Sequence, residues 1–129
     1  MFVRFVVAEI DDDSRHALGV FQAMAKLRRR GVLTAHEELQ EKAIREWFNR
    51  NLEKPTRFTT SKPPYHNKKS KAISWFKDSA RTHISQVRLF VTILERHGVS
   101  VQMLTTRRVG YIAYEDEYQI VAEPFAGES

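Results

Sequence analysis

Apolar residues along the 129-residue chain recur in two rhythms, and the switches between them mark the elements. Residues 2–9 place Phe2, Val3, Phe5, Val6 and Val7 in a short β-favouring run, which predicts a buried strand with Arg4 and Glu9 at its wetter points. The period then lengthens. Ala17, Val20, Phe21, Met24 and Leu27 fall three or four apart, so a helix is expected from Ser14, as its cap, to Gly31. Asp11 to Asp13 would lie at its positive end and Arg28 to Arg30 at its negative end, as ordinary helix-terminal charges. A second helix is expected from Thr34, where Thr34-Ala35-His36-Glu37 matches a capping box, with Leu39, Ala43, Ile44, Trp47, Phe48 and Leu52 as its apolar face.

Residues 53–70 break the rhythm with Pro55, Pro63 and Pro64 among Thr, Ser and Lys, and read as a long irregular loop. From Lys71 to His97 a third helix is expected, stopped by Gly98, with a stripe of Phe76, Ala80, Ile84, Val87, Val91 and Leu94 widened by Ile73 and Phe90. Alternation returns at Val99 to Thr105, Val109 to Tyr114 and Tyr118 to Ala122, three strands joined by turns at 106–108 and 115–117 and stopped by Pro124. The expected order is therefore β-α-α-α-β-β-β, an α+β fold whose antiparallel sheet carries its helices on one face. Hairpins would join the last three strands in sequence, with the first strand at an edge or between two of them. Residues 1–125 fit a single domain, and 126–129 a frayed tail.

Composition narrows the chemistry. The absence of cysteine excludes disulfides, thiolate zinc sites and thiol catalysis. No apolar run approaches the length of a membrane span and no signal peptide is recognisable, so no membrane partner is expected and the setting reads as cytoplasmic. Phosphate-binding glycine loops, Gly-x-Ser-x-Gly elbows and His-Glu-x-x-His helices do not occur. The histidines at 16, 36, 66, 83 and 97 have no mutual ligand spacing, so no metal or other cofactor is expected. Glu115-Asp116-Glu117 reads as a solvated hairpin turn rather than a cation site.

Charge changes the picture most. The net charge of +5 is unevenly spread: residues 42–81 hold 11 basic and 3 acidic side chains, while the flanking thirds are slightly acidic. From Lys54 to Lys71 there are six basic residues, Lys54, Arg57, Lys62, Lys68, Lys69 and Lys71, and no acid. Phe58, Tyr65, His66 and Trp75 are interleaved or adjacent. Cations that neutralise phosphates, beside rings that accept stacked bases, suit RNA or single strands better than duplex DNA. The candidate nucleic-acid-binding residues are accordingly Lys54, Arg57, Phe58, Lys62, Tyr65, Lys68, Lys69, Lys71 and Trp75.

The runs Ala72-Ile73-Ser74-Trp75-Phe76-Lys77-Asp78-Ser79-Ala80 and Arg108-Val109-Gly110-Tyr111-Ile112-Ala113-Tyr114-Glu115-Asp116-Glu117-Tyr118-Gln119-Ile120-Val121-Ala122-Glu123-Pro124-Phe125, with the opening Met1 to Phe5, resemble a family of small uncharacterised bacterial proteins. The resemblance implies a bacterial cytoplasmic protein and carries no activity with it. In element order and basicity the chain also resembles RelE-like toxins, ribosome-dependent messenger RNA nucleases, by which comparison the third helix is an extra element. Three functions follow as expectations: a non-enzymatic module binding RNA or single strands through residues 54–75, an RNA-cleaving enzyme, and an interaction module docking an acidic protein. His83, on the stripe of the third helix, reads first as a hydrogen-bonded rim or core histidine; a nuclease would need a proton-transfer pair, for which His83 and His66 are the candidates, with Arg81 and Lys71 as stabilisers of phosphate charge. A homo-oligomer is compatible with any of the three.

Overall fold

The computed structural model describes residues 1–10, 16–54 and 72–125. In chain order the described elements are β1 (Phe2–Ile10), β2 (Ala17–Gly19), α1 (Val20–Arg29), α2 (Ala35–Asn51), β3 (Ile73–Lys77), α3 (Arg81–Arg96), β4 (Gln102–Thr106), β5 (Tyr111–Glu115) and β6 (Gln119–Glu123). The class is α+β, with an antiparallel six-stranded sheet and three helices.

Strand β1 organises the sheet. Its Phe2 and Val3 pair with β3 while Phe2 to Val6 pair with β4, so β3 and β4 lie on opposite flanks. Val6 and Ile10 pair with β2, which therefore continues the β3 flank. Where the neighbour changes from β3 to β2, the Arg4 guanidinium donates to the Ser74 carbonyl at 3.1 Å and the Ala17 carbonyl at 3.0 Å, one from each of the two strands.

Successive β1 side chains face opposite ways, so Val3, Phe5 and Val7 join the main core under the helices. That core takes Met24 and Leu27 from α1, Ile44 and Phe48 from α2, and Val87, Phe90, Ile93 and Leu94 from α3. Phe2 points to the other face, toward Ile73, Trp75, Val109, Ile120 and Ala122. Among the described residues the helices therefore cover one face of the sheet, as the pattern predicts.

Three sequence expectations need correction. Ala17 to Gly19 is a strand and α1 starts only at Val20, because the spacing that suits a helix also lets Leu18 bury against β1 while its backbone pairs with that strand. The expected cap Ser14 and Asp11 to Asp13 lie outside the described residues. The expected helix 71–97 is a strand, a turn and a shorter helix. Ile73 and Trp75 fall on one sheet face and Phe76 on the other, an alternation hidden by the four-residue spacing of Phe76 and Ala80 across the turn.

The expected three-stranded meander is only a hairpin. β5 pairs with β6, but β4 pairs with β1, leaving β1, β3 and β6 between β4 and β5. The connection crosses the helix-free face, where Val109 buries in the second apolar cluster. Gly110 completes the crossing at φ +121, where a Cβ would stand 2.0 Å from the Glu123 carbonyl oxygen.

Candidate nucleic-acid interface

Helix α2 is held at both ends by side chains that the sequence marks unevenly. At its start the capping box forms: Thr34 Oγ1 accepts from the Glu37 N–H at 3.1 Å, and Glu37 Oε1 accepts from the Thr34 N–H at 2.9 Å. His97, just beyond α3, meets the same Glu37 oxygen at 2.8 Å. The Thr34 N–H, then the His97 ring, hold the Glu37 carboxyl below its ordinary pKa against the opposing effect of burial. One turn on, the buried carboxylate of Glu41 is bound by Arg28 at 2.8 Å and Arg45 at 3.0 Å, so one member of the Arg28 to Arg30 run serves the helix interface.

At the other end, α2 delivers the chain to the basic segment. His83, in the first turn of α3, is 5% exposed and its Nε2 lies 2.7 Å from the Asn51 carbonyl. A carbonyl only accepts, so Nε2 carries the proton and donates. The ring stacks on Tyr118, centroids 4.2 Å apart, with Trp47 edge-on at 4.9 Å. Two residues on, the Gln119 side-chain amide donates to the Glu53 carbonyl at 2.7 Å. The chain thus leaves α2 clamped to α3 and to β6 before it reaches Lys54.

Gln119 is itself braced by Asp116 in the β5–β6 turn. Asp116 accepts from the Tyr114 hydroxyl at 2.7 Å, the Tyr118 N–H at 2.8 Å, the Gln119 N–H at 3.0 Å and the Gln119 side chain at 3.1 Å. Partial burial works to raise the Asp116 pKa, but these bonds, led by the Tyr118 N–H, bring it below the ordinary value. By donating to this carboxylate, Tyr114 keeps its proton and its pKa is pushed up to about 12. Between this turn and the end of α2 lies an open cleft of about 650 Å³, lined by Asn49, Asn51, Lys54, Tyr114, Asp116 and Tyr118 among others.

The far end of the basic segment is held by the same strand. The chain re-enters the sheet at Ile73, which pairs with Ala122 of β6, while Gln119 holds Glu53 three residues earlier on that strand. At about 3.4 Å per residue, the two anchor positions on β6 stand about 10 Å apart. The described chain on either side of residues 55–71 is therefore held against one strand, β6, which lies between β3 and β5.

No protein-family model matches the chain, and no curated protein or solved structure matches it either.

Of the candidate binding residues, Lys54 is exposed on the rim of the cleft. Arg57, Phe58, Lys62, Tyr65, His66, Lys68, Lys69 and Lys71 lie outside the described residues. Trp75 is not at an exposed helix start: it is 8% exposed on β3, packed in the cluster beneath Val109, and offers no free ring face for a base. Arg81 is exposed at the start of α3, whereas the neighbouring His83 is enclosed with Nε2 engaged. The structure does not bring those two to one open pocket.

Glu115 pairs with Lys77 at 2.7 Å and Glu117 is exposed, so only Asp116 of the acidic trio turns inward. Among the described residues no three His, Asp or Glu side chains could share a metal ion, and no helix is long and apolar enough to cross a membrane. Sequence reasoning missed Gln119, Tyr114 and Asn51. The available signal was Asp116 two residues before Tyr118, the spacing of a side-chain-capped turn.

Proposed function

We propose that the chain is a non-enzymatic module that binds RNA or other single-stranded nucleic acid through the basic segment from Lys54 to Lys71. The observation that carries this reading is the concentration of six cations and no acid in a segment whose described flanks, Glu53 and Ile73, are both held on β6. Closure matters energetically, because a loop with fixed ends loses less freedom on binding than a free tail of the same charge. Phosphates supply the affinity through counterion release. Phe58 and Tyr65 are the stacking candidates that remain once Trp75 is assigned to the apolar cluster.

The enclosure of His83 favours binding over cleavage, since its Nε2 proton is committed to the Asn51 carbonyl. The deciding experiment incubates labelled single-stranded RNA with the purified chain and follows complex and products together. A salt-sensitive complex with intact RNA is the expected result. Cleavage that His83→Gln or His66→Gln abolishes would replace this reading with the nuclease.

A further inference from the structure

Helices α2 and α3 run antiparallel, since His83 at the start of α3 meets Asn51 at the end of α2, and His97 beyond α3 meets Glu37 at the start of α2. Between them, on the outer surface of the helix layer, runs a groove of about 420 Å³. Ile44 and Ile93, 5% and 2% exposed, form its floor; Ala43 and Trp47 wall one side and Leu89 the other.

Arg50 and Arg96 each line the groove near the C-terminal end of their helix, so the antiparallel arrangement puts one guanidinium at each end. From Gln40 to Arg50, and from Gln86 to Arg96, the walls are about 15 Å long at 1.5 Å per residue. No carboxylate lines the groove. Neither guanidinium has an ion pair with a described residue, whereas Arg28 and Arg45 nearby are engaged with Glu41.

Two further features mark the groove as unfinished. Leu89 is 48% exposed, the one large apolar side chain on a wall whose other lining residues are Gln86, Thr92 and Arg96. Gln40 Oε1 is shielded from solvent and accepts no hydrogen bond from a described residue. An isolated exposed leucine is ordinary, but an apolar floor about three helical turns long, beside an amide oxygen that no described donor meets and with a guanidinium at each end that pairs with no described acid, has complementary requirements.

We propose that this groove docks an amphipathic helix of an acidic protein partner. Side chains at i, i+3 or i+4, and i+7 fill the floor over Ile44 and Ile93, and carboxylates near the two ends of that helix pair with Arg50 and Arg96. A second copy of the chain is a poorer occupant. With a net charge of +5 it brings repulsion to a cationic rim; α1 and α3 hold one acidic residue between them, Glu95, and of the four glutamates on α2 two, Glu37 and Glu41, are buried and already engaged. None of the residues lining the groove belongs to the basic segment, and this inference does not rest on nucleic-acid binding.

The test pans a displayed library of three-turn helices, apolar along one stripe and randomised elsewhere, on the full chain with the Leu89→Glu chain as soluble competitor. The expected winners carry Asp or Glu at both ends. Leu89→Glu and Arg96→Glu should each weaken them about tenfold or more, with melting temperature nearly unchanged because both side chains are exposed. Arg96→Lys should keep most of the affinity.

Winners without acidic ends, indifference to Arg96→Glu, or no helix that prefers the native groove would overturn the proposal. Self-association of the chain that Leu89→Glu abolishes would assign the groove to a second copy and equally overturn it. So would loss of RNA binding in the Leu89→Glu chain, which would assign the groove to nucleic acid.

Discussion

His83 shows how a residue with catalytic chemistry becomes a structural bracket through its surroundings. Its ring lies between Tyr118 and Trp47 and its Nε2 proton sits on Asn51, so removing it loses packing and leaves a carbonyl without its donor. His83→Ala should cost about 2–4 kcal/mol and lower the melting temperature by roughly 8 °C or more, readable by thermal circular dichroism. An unchanged melting temperature would refute the bracket.

Asp116 and Tyr114 give a pH signature at the same scale. With its folded pKa depressed, Asp116 contributes stability that is complete above the ordinary aspartate value of about 4 and lost as pH falls through the folded value. Asp116→Asn should therefore flatten the acid limb of a stability profile below about pH 5. For Tyr114 the sign is opposite: a raised pKa contributes stability present below the ordinary value of about 10 and lost as pH rises toward about 12. Near-ultraviolet titration should show a late tyrosine that Tyr114→Phe removes.

Among the elements, the crossing from β4 to β5 carries the sharpest constraint. Gly31, Gly98 and Gly110 all have positive φ, yet only at Gly110 would a Cβ strike another backbone. Gly31→Ala should cost about 1 kcal/mol from conformation alone, whereas Gly110→Ala should exceed about 2 kcal/mol and loosen the β5–β6 hairpin in hydrogen exchange. Equal costs at the two sites would contradict the close approach of Gly110 to Glu123.

Elements were legible where a local signal had no competitor. Thr34 and Glu37 located the start of α2, and the stripe from Val87 to Leu94 located α3. Ile73 to Phe76 misled because a strand followed by a helix can mimic one continuous helical stripe. The pairing of β4 with β1 was not readable, since strand partners separated by a hundred residues leave no mark in local periodicity. The candidate site was half legible: its charge stands in the sequence, while the clamps at Asn51 and Glu53 depend on side chains brought from α3 and β6.

At the scale of the whole molecule, a helix-covered sheet holds the described chain on either side of a strongly basic segment, while the rest of the sequence is near neutral. The proposed function requires that affinity for single-stranded nucleic acid reside in that segment and be electrostatic. The most direct measurement is the salt dependence of single-stranded RNA binding by fluorescence anisotropy, for the native chain and for one with Lys68, Lys69 and Lys71 each changed to Glu. If about four phosphates are neutralised, log affinity should fall by roughly three units per tenfold rise in salt. The reversed chain should lose binding at all salt concentrations while keeping its melting temperature. Native binding that ignores salt, or a reversed chain that binds as well as the native one, would contradict the account.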